Sequence, residues 1–256
     1  MIVLFTDFGL EGPYVGQMMA VLAREAADVP AVGLFADAPA CDPLSAAYLL
    51  AAYAPWFESG TVFLCVVDPG VGSRRAAVAV RADGSWFVGP DNGLFEPILR
   101  RADKVEAWTI DWRPPTLSAT FHGRDLFAPV AARLALGAMP EATPVPVADL
   151  RRADWPDDLG AVVYIDRFGN ALTGLRASRL GRDAVLEANG HTLSFAGTYS
   201  DVPVGASFWY ENANGLAEIA VNRGRAADVL GLGVGTPVAV AETGRFVNSM
   251  DFIVEC

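Results

Sequence analysis

The 256-residue chain is poor in cysteine, and its three cysteines are not paired by spacing. Cys41, Cys65 and Cys256 form no Cys-x-x-Cys unit, and Cys65 lies inside an apolar run. This pattern is typical neither of a disulfide framework nor of a cysteine-rich zinc site. We interpret the three residues as free thiols of a protein in a reducing compartment.

Long apolar runs and basic clusters are also missing. No run of 18 apolar residues occurs, and residues 1–5 lack the basic and apolar regions of a signal peptide. The net charge is −11 and no block of Lys or Arg is present, so we expect neither nucleic acid nor a membrane as a partner. Hydrophobic residues make up 52% of the chain, which predicts a large buried core. We expect a soluble cytoplasmic protein.

Several signatures of catalysis are absent. Gly-x-Ser-x-Gly, His-Glu-x-x-His and an aspartate-rich calcium loop do not occur. The segment Gly70-Val71-Gly72 lacks the lysine of a phosphate-binding loop and the third glycine of a dinucleotide fingerprint. These absences disfavour a serine hydrolase, a zinc peptidase and a nucleotide-cofactor enzyme, and we expect neither a cofactor nor a metal.

What the chain does contain is carboxylates directly after apolar strands. Residues 61–67 are β-branched or apolar at nearly every position, which predicts a strand buried on both faces of a parallel sheet. Asp68 and Arg75 follow it, as Asp7 follows the predicted strand at residues 2–5. Because open α/β sheets bind ligands at the carboxyl ends of their strands, Asp68 and Arg75 are candidate catalytic residues. The alternative is that Asp68 only caps the turn while Arg75 is solvated.

Strand and helix signals alternate through the first half of the chain. Asp42 and Pro43 are suited to the start of a helix, and the two strands around Asp83 predict a hairpin. This order predicts an α/β domain with a largely parallel central sheet. Further strands are predicted at residues 31–35, 76–80, 85–88 and 105–110, and helices at 14–26, 42–53, 94–100 and 126–136.

The character of the sequence changes after a proline-rich stretch. Residues 137–160 contain four prolines and few periodic apolar positions, as a linker does. Short strands separated by Gly, Asn or Asp follow, which predicts a smaller β-barrel domain. We therefore divide the chain into an α/β domain (1–150), a linker (151–160) and a β-barrel domain (161–256). Its strands are predicted at residues 161–165, 184–186, 191–195, 207–210, 217–221 and 237–241.

Only two histidines occur, and their surroundings differ. His191 follows an Asn-Gly pair at a predicted hairpin tip, where we expect it to be exposed. His122 lies in a polar cluster before a helix, beside Gly123, where a ligand can approach the backbone closely. A lone histidine is more often structural, but as the imidazole nearest the loops of Asp7 and Asp68 it is a candidate catalytic residue.

A metal-dependent hydrolase is the rival use of these side chains, since carboxylates and imidazole ligate metals. Asp91 has a simpler interpretation, because Asp and Asn close turns locally. The possible ligands are Asp7, Asp68, Asp91, His122 and Asp125.

A second polar cluster follows the strand at residues 161–165. Asp166, Phe168 and Asn170 bring a carboxylate, an aromatic face and an amide within five residues. An amide can read the edge of a purine and an aromatic ring can stack on it, which indicates a purine site. The alternative is a hairpin turn with Asn170 in a left-handed conformation.

Six short motifs lie in a fixed order along nearly the whole chain. They are Thr6-Asp7-Phe8-Gly9 with residues 14–18, residues 67–72 with Arg75, residues 88–93, Phe121-His122-Gly123-Arg124-Asp125, residues 165–170 and residues 218–222. Each is weak alone, but the ordered set is specific. It resembles the S-adenosyl-L-methionine hydroxide adenosyltransferase family, the hydrolase relatives of fluorinase and chlorinase.

The resemblance implies a homotrimer whose active site lies between the first domain of one subunit and the second domain of its neighbour. It also implies the reaction, in which water or hydroxide attacks the C5′ carbon of S-adenosylmethionine and yields adenosine and methionine. Asp68, Arg75 and His122 correspond to the water-activating residues of the family.

Substrate contacts are implied in the same way. Asp7 matches a carboxylate that binds the ribose diol, and Asp166 matches a contact to the methionine amino group. Phe168 and Asn170 match adenine contacts. The remaining substrate-binding residues implied are Phe121, Tyr199 and Asn212.

Three positions bear on the alternatives. The halogenase relatives carry a tyrosine in place of His122 and lack the Asp-Arg pair, so a halide nucleophile is disfavoured. Gly12 stands where the family often has an aspartate, and Ala213 stands where a serine is usual; both changes concern the methionine end of the site. The alternatives are a non-catalytic sensor of adenosine or S-adenosylmethionine and an S-adenosylmethionine-dependent halogenase.

Overall fold

The computed structural model describes residues 1–241, so Cys256 lies outside the described residues. The first half of the chain forms a seven-stranded sheet in the order β2-β1-β3-β5-β4-β6-β7. β1 runs parallel to β2 and β3, and β3 runs parallel to β5, whereas β4 and β7 run in the opposite direction. The expected mostly parallel sheet is confirmed. Its strands are β1 (Ile2–Thr6), β2 (Ala31–Phe35), β3 (Val62–Val66), β4 (Ala77–Ala82), β5 (Ser85–Pro90), β6 (Val105–Ile110) and β7 (Ala142–Pro144).

Helices cover both faces of this sheet, as its apolar strands require. Helices α1 (Tyr14–Glu25) and α4 (Ala128–Ala135) pack on one face, and α2 (Pro43–Tyr53) and α3 (Glu96–Arg101) pack on the other. Every residue of β3 is buried, because its side chains alternate between the two cores. The expected strand buried on both faces is therefore confirmed.

Two local predictions in this half are also confirmed. Asp42 caps α2, since its Oδ1 accepts a hydrogen bond from the Ser45 N–H at 3.1 Å, and Pro43 is the first helical residue. β4 and β5 form a hairpin closed by Asp83 and Gly84, which have φ values of 47° and 89°. Such a pair of left-handed residues matches the twist of the flanking strands.

The second half is dominated by antiparallel strands arranged in two sheets, one ordered β12-β13-β9-β8 and one ordered β11-β10-β14. Isolated bridges between Ala161 and Pro237 and between Phe195 and Trp209 connect them. A mainly β second part is confirmed, whereas closure into a barrel is not. Its elements are β8 (Leu159–Ile165), β9 (Ala171–Arg176), β10 (Leu186–Ala188), β11 (His191–Leu193), β12 (Ser207–Glu211), β13 (Leu216–Val221), α5 (Ala226–Leu230) and β14 (Val238–Val240).

The expected linker is more ordered than its prolines indicate. In the proline-rich stretch at residues 137–160, β7 joins the edge of the large sheet, and the carbonyl of Pro156 accepts a hydrogen bond from the Tyr48 hydroxyl. Glu96 of α3, only 1% exposed, accepts hydrogen bonds from Arg100 Nη2 at 2.7 Å, Arg151 Nε at 3.0 Å and the Arg152 N–H at 2.7 Å. The segment is thus fastened to α2, α3 and β6.

The two halves share a hydrophobic core. Val163 of β8 and Leu172 of β9 belong to the same buried cluster as Tyr48 of α2 and Phe63 of β3. Across residues 1–241, the helices are all too short or too polar to cross a membrane.

Candidate active site

Asp68 and Arg75 meet at the carboxyl end of β3. Arg75 Nη2 donates to Asp68 Oδ2 at 2.5 Å, and the two side chains are 11% and 3% exposed, respectively. A second Arg75 nitrogen donates to the carbonyl of Ala76, and the guanidinium lies 5.8 Å from the Phe127 ring centroid. Asp68 Oδ1 and Arg75 Nε are buried and have no hydrogen-bond partner among the described residues. The interpretation of Asp68 as a turn cap with a solvated Arg75 is wrong, because the two form a buried ion pair.

His122 reaches this pair because two loops pack tightly. Gly72 has a φ of +80°, and a Cβ there would lie 2.5 Å from the carbonyl oxygen of Ala119. Only glycine fits such a backbone and such an approach. His122 then begins a π-helical turn, Gly123–Phe127, which leads into α4. Turns of this kind are frequent at functional sites.

The cavity beside His122 has a volume of about 370 Å³ and is lined by Ser73, Arg75, Arg113 and His122 among others. Burial lowers the pKa of His122, and the positive charge of Arg75 lowers it further, while Asp68 acts in the opposite direction. The imidazole therefore favours its neutral form, which can accept a proton.

Asp7 lies at the end of β1, next to the end of β3. Its Oδ2 accepts a hydrogen bond from the Cys41 N–H at 2.9 Å. Burial raises the pKa of Asp7, and the nearby charge of Asp68 contributes in the same direction. The two carboxylates thus share one edge of the sheet, as their positions after parallel strands predict.

Phe121 belongs to an aromatic cluster beside this edge. Its ring centroid lies 5.7 Å from that of Phe8 and 5.3 Å from that of Tyr14, both in edge-on contact. Gly123 packs against the same rings, since a Cβ there would lie 3.2 Å from Phe8. The cluster forms an apolar wall next to Asp7 and His122.

A second cavity, of about 800 Å³, lies in the second half of the chain. Asn170 donates from its backbone to Asp166 Oδ1 at 2.8 Å and from its side chain to Asp166 Oδ2 at 3.2 Å. The Phe168 side chain is 75% exposed. Residues 166–170 form a tight turn, as the hairpin-turn alternative predicts. The left-handed residue of this turn is Gly169, with φ +84°, and not Asn170. The cavity is lined by Asp166, Phe168, Asn170, Tyr199 and Asn212, together with Tyr53, Tyr210, Ala213, Glu218 and others.

Glu218 is the residue of this cavity to which sequence reasoning assigned no role. It is 5% exposed and accepts hydrogen bonds from the Tyr210 hydroxyl and, at 2.9 Å, from Asn212 Nδ2. Burial raises the pKa of Glu218. The sequence feature that could have identified Glu218 is that it is the single carboxylate of β13, a strand buried at every position.

The structure brings the predicted site residues together in two groups rather than one. Among residues 1–241 no hydrogen bond or ion pair joins the first group to the second. Arg75 and His122 of the first group line the cavity of about 370 Å³, whereas all five residues of the second group line the cavity of about 800 Å³. The first group is Asp7, Asp68, Arg75, Phe121 and His122. The second group is Asp166, Phe168, Asn170, Tyr199 and Asn212.

The remaining candidate metal ligands have other partners. Asp91 pairs with Arg152 at 3.0 Å, and Asp125 pairs with Arg124 at 2.6 Å. Within the described range, no three His, Cys, Asp or Glu side chains lie close enough to hold a metal ion.

A mostly parallel α/β unit with polar strand exits, followed by an antiparallel β unit with an aromatic and acidic cavity, defines a two-part protein with small-molecule sites. The chain belongs to the S-adenosylmethionine hydroxide adenosyltransferase family, whose N-terminal domain matches residues 2–143 and whose C-terminal domain matches residues 160–239. The resemblance of the six motifs is thereby confirmed.

Individual relatives agree with this assignment. The chain is 44% identical to an (R)-S-adenosyl-L-methionine hydrolase of Thermus thermophilus, with 91% of this chain and 96% of the relative covered. It is 39% identical to a hydrolase of the same name from Salinispora arenicola, with 92% and 95% covered. A crystal structure of an uncharacterized conserved protein from Thermotoga maritima superimposes with a TM-score of 0.80 at 29% identity, covering 94% of this chain and all of the other.

Proposed function

We propose that this protein hydrolyses S-adenosylmethionine to adenosine and methionine. The observation that carries the proposal is the buried Asp68–Arg75 pair near His122, whose pKa is lowered by burial and by Arg75, in a chain of this family. Curated relatives are named as hydrolases of the (R) form of the substrate, and we propose the same preference here.

The chemistry places its demand on the nucleophile. Sulfonium is a good leaving group, so no acid is needed at sulfur, whereas the attacking water must lose a proton. A hydroxide-like nucleophile and a sulfonium give two neutral groups, so a site that excludes bulk water favours the less charged transition state. In-line positioning of the water and the C5′ carbon supplies much of the remaining acceleration.

Three side chains act on that water in this proposal. Arg75, whose Nε is buried and has no partner among the described residues, stabilises the developing hydroxide and so lowers the pKa of the water. Asp68 Oδ1 and the imidazole of His122 orient the water and accept its proton. Water activation therefore needs no metal in this scheme.

Substrate binding is divided between the two groups. Asp7 holds the ribose diol, because two carboxylate oxygens can meet two adjacent hydroxyls, and Phe121 supports it from the aromatic cluster. Phe168 stacks on adenine while Asn170 reads its edge. Asp166 binds the amino group of the methionine tail. Tyr199 and Asn212 complete the wall of the second cavity.

The separation of the two groups supports an active site between subunits. In each chain Arg75 and His122 line one cavity, and the proposed adenine-binding residues line another. We propose a homotrimer in which the first cavity of one subunit meets the second cavity of its neighbour. The proposed domains are 1–150 and 161–256 with a linker at 151–160, and the free thiols of Cys41 and Cys65 support a cytoplasmic location.

The reaction is tested by incubating chelator-treated protein with S-adenosylmethionine in oxygen-18 water that contains chloride. Adenosine labelled at its 5′ oxygen is the expected product, identified by mass spectrometry. Chloroadenosine would instead reveal a halogenase. Tight adenosine binding without turnover would reveal a sensor, and activity lost to the chelator and restored by a metal would reveal a metal-dependent hydrolase.

The shared site is tested by mixing two inactive variants. Asp68→Ala disables the first group and Asn170→Ala disables the second. Refolding the two together should restore part of the activity, because some interfaces then combine two intact halves. If each active site were built within one chain, the mixture would stay inactive.

A further inference from the structure

The second cavity contains a buried carboxylate, Glu218, whose hydrogen-bond donors within residues 1–241 are neutral groups. Glu218 Oε1 accepts from the Tyr210 hydroxyl, and Oε2 accepts from Asn212 Nδ2 at 2.9 Å. A carboxylate buried in this way is costly unless hydrogen bonds or a positive charge compensate it. Its retention at 5% exposure indicates a use for the charge.

The orientation of Asn212 fixes the direction of these hydrogen bonds. Its Oδ1 accepts from the Asn214 N–H at 2.9 Å and from the Leu216 N–H at 3.0 Å. The nitrogen of the amide must therefore face Glu218 Oε2, which accepts from it. With the Tyr210 hydroxyl donating to Oε1, both oxygens accept, as those of an ionised carboxylate do.

The ionised Glu218 in turn orients two tyrosines. Tyr210 gives its single hydroxyl proton to Glu218, so toward the Tyr199 hydroxyl, 3.3 Å away, it can only accept. Tyr199 therefore donates to Tyr210 and has only oxygen lone pairs left for the cavity. Edge-on packing of Tyr199 on Phe208, with centroids 5.3 Å apart, holds the ring in place.

Acceptors consequently dominate one wall of the cavity. The cavity is lined by Tyr199, Asp166 and Glu218 on the acceptor side and by Arg223 and Arg225 elsewhere, and the charge of Asp166 adds to burial in raising the pKa of Glu218. A positively charged group that can only donate hydrogen bonds compensates both the burial of Glu218 and its repulsion by Asp166. An ammonium group, with three donors and no acceptor, fits this description.

Building on the proposed substrate, we propose that Glu218 determines specificity for the amino-acid tail. Acting through Tyr210, it makes the Tyr199 oxygen an acceptor for the tail's amino group, next to Asp166. Glu218 is in this sense a positioning residue and does not contact the reacting atoms.

The test compares two ligands that differ in the tail and need no turnover. S-adenosylhomocysteine carries the amino-acid tail, and 5′-methylthioadenosine lacks it. Glu218→Gln preserves shape but lets the side chain donate to Tyr210, which reverses the order of protons and turns Tyr199 into a donor. We expect the Kd of S-adenosylhomocysteine to rise about tenfold, as for the loss of a hydrogen bond to a charged group, and the Kd of 5′-methylthioadenosine to change less than about twofold.

Two further variants keep the outcome clear. Tyr199→Phe removes the acceptor at a half-buried position and should cause the same selective loss even where Glu218→Gln fails to fold. Glu187→Gln makes the same chemical change on an exposed strand position and should leave both affinities unchanged.

If Glu218→Gln raises the Kd of both ligands equally, Glu218 only maintains the cavity. If it changes neither Kd, Glu218 plays no part in tail recognition. Either result overturns the proposal. So does a wild-type protein that binds both ligands equally well. The two Kd values are measured without hydrolysis. A protein that selects the tail but does not turn over would refute the proposed reaction and leave the proposed role of Glu218 intact.

Discussion

Arg75 Nη2 and Asp68 Oδ2 lie 2.5 Å apart, yet each of these two buried side chains keeps one polar atom without a partner in the part of the chain that the structure describes. The ion pair fixes both groups in place, and Asp68 Oδ1 and Arg75 Nε remain to bind something else. One is an acceptor and the other a donor. In the proposed mechanism these two atoms supply the acceptor and the donor for the attacking water.

Removing either proton-accepting group should abolish most of the activity. Asp68→Ala or His122→Ala is expected to lower kcat by about a hundredfold or more, as for the loss of general base catalysis, with much smaller effects on adenosine binding. Steady-state kinetics and calorimetry measure the two quantities. His191→Ala serves as the control, since His191 is exposed on β11. Near-normal turnover of both variants would refute the assignment.

The pH profile should report the neutral imidazole. Because burial and then Arg75 lower the pKa of His122, the protonated, inactive form accumulates only below the ordinary imidazole value of 6.5. We expect kcat/KM to rise with pH along a limb centred below that value, and this limb to disappear in the residual activity of His122→Asn. A limb that persists in the variant belongs to another group.

Loop packing around Gly72 should be essential for turnover. Gly72→Ala places a methyl group 2.5 Å from the Ala119 carbonyl oxygen, which separates Arg75 from His122. Misplacement of this size can cost about a hundredfold in rate. Gly137→Ala is the matched control, because Gly137 has a nearly equal φ of +79° with nothing within 4 Å of its Cβ position. It should lower only stability, by about 1–2 kcal/mol. Equal kinetic effects of the two variants would contradict the prediction.

The buried carboxylate of Glu96 should matter for stability and not for chemistry. Glu96→Ala leaves Arg100 and Arg151 without their shared acceptor and is expected to lower the free energy of unfolding by about 3 kcal/mol. Urea unfolding measures this loss, while kcat per folded molecule stays unchanged. Glu106→Ala breaks an exposed pair with Arg81 and should cost less than about 1 kcal/mol. Similar losses in both variants would show that the Glu96 cluster contributes nothing special.

The carboxyl-edge site was predictable because its signal is local. A short apolar run rich in β-branched residues, such as that before Asp68, predicts a buried strand, and parallel strands bring Asp7 and Asp68 to one edge of the sheet. The position of His122 near this edge was harder to predict from the sequence, since it depends on the close approach of Gly72 to Ala119. No sequence period encodes such an approach.

Strand β9 was not predicted, although it lies at the centre of its sheet. Thr173 and Gly174 interrupt its apolar pattern, and both are there for tertiary reasons. The Thr173 hydroxyl donates to the Ala217 carbonyl at 2.7 Å, and a Cβ at Gly174 would lie 2.7 Å from the Leu159 carbonyl oxygen. Strand β7 escaped for a different reason, because three residues ending in proline give too short a signal.

The shared hydrophobic core determines whether the two halves of this protein can be expressed as separate fragments. It contains Val163, Leu172, Tyr48 and Phe63. A fragment ending near residue 150 would leave the apolar side of α2 uncovered, and a fragment starting near residue 160 would expose the matching side of β8 and β9. We therefore expect neither piece to fold on its own, because each would expose the apolar surface that the other covers.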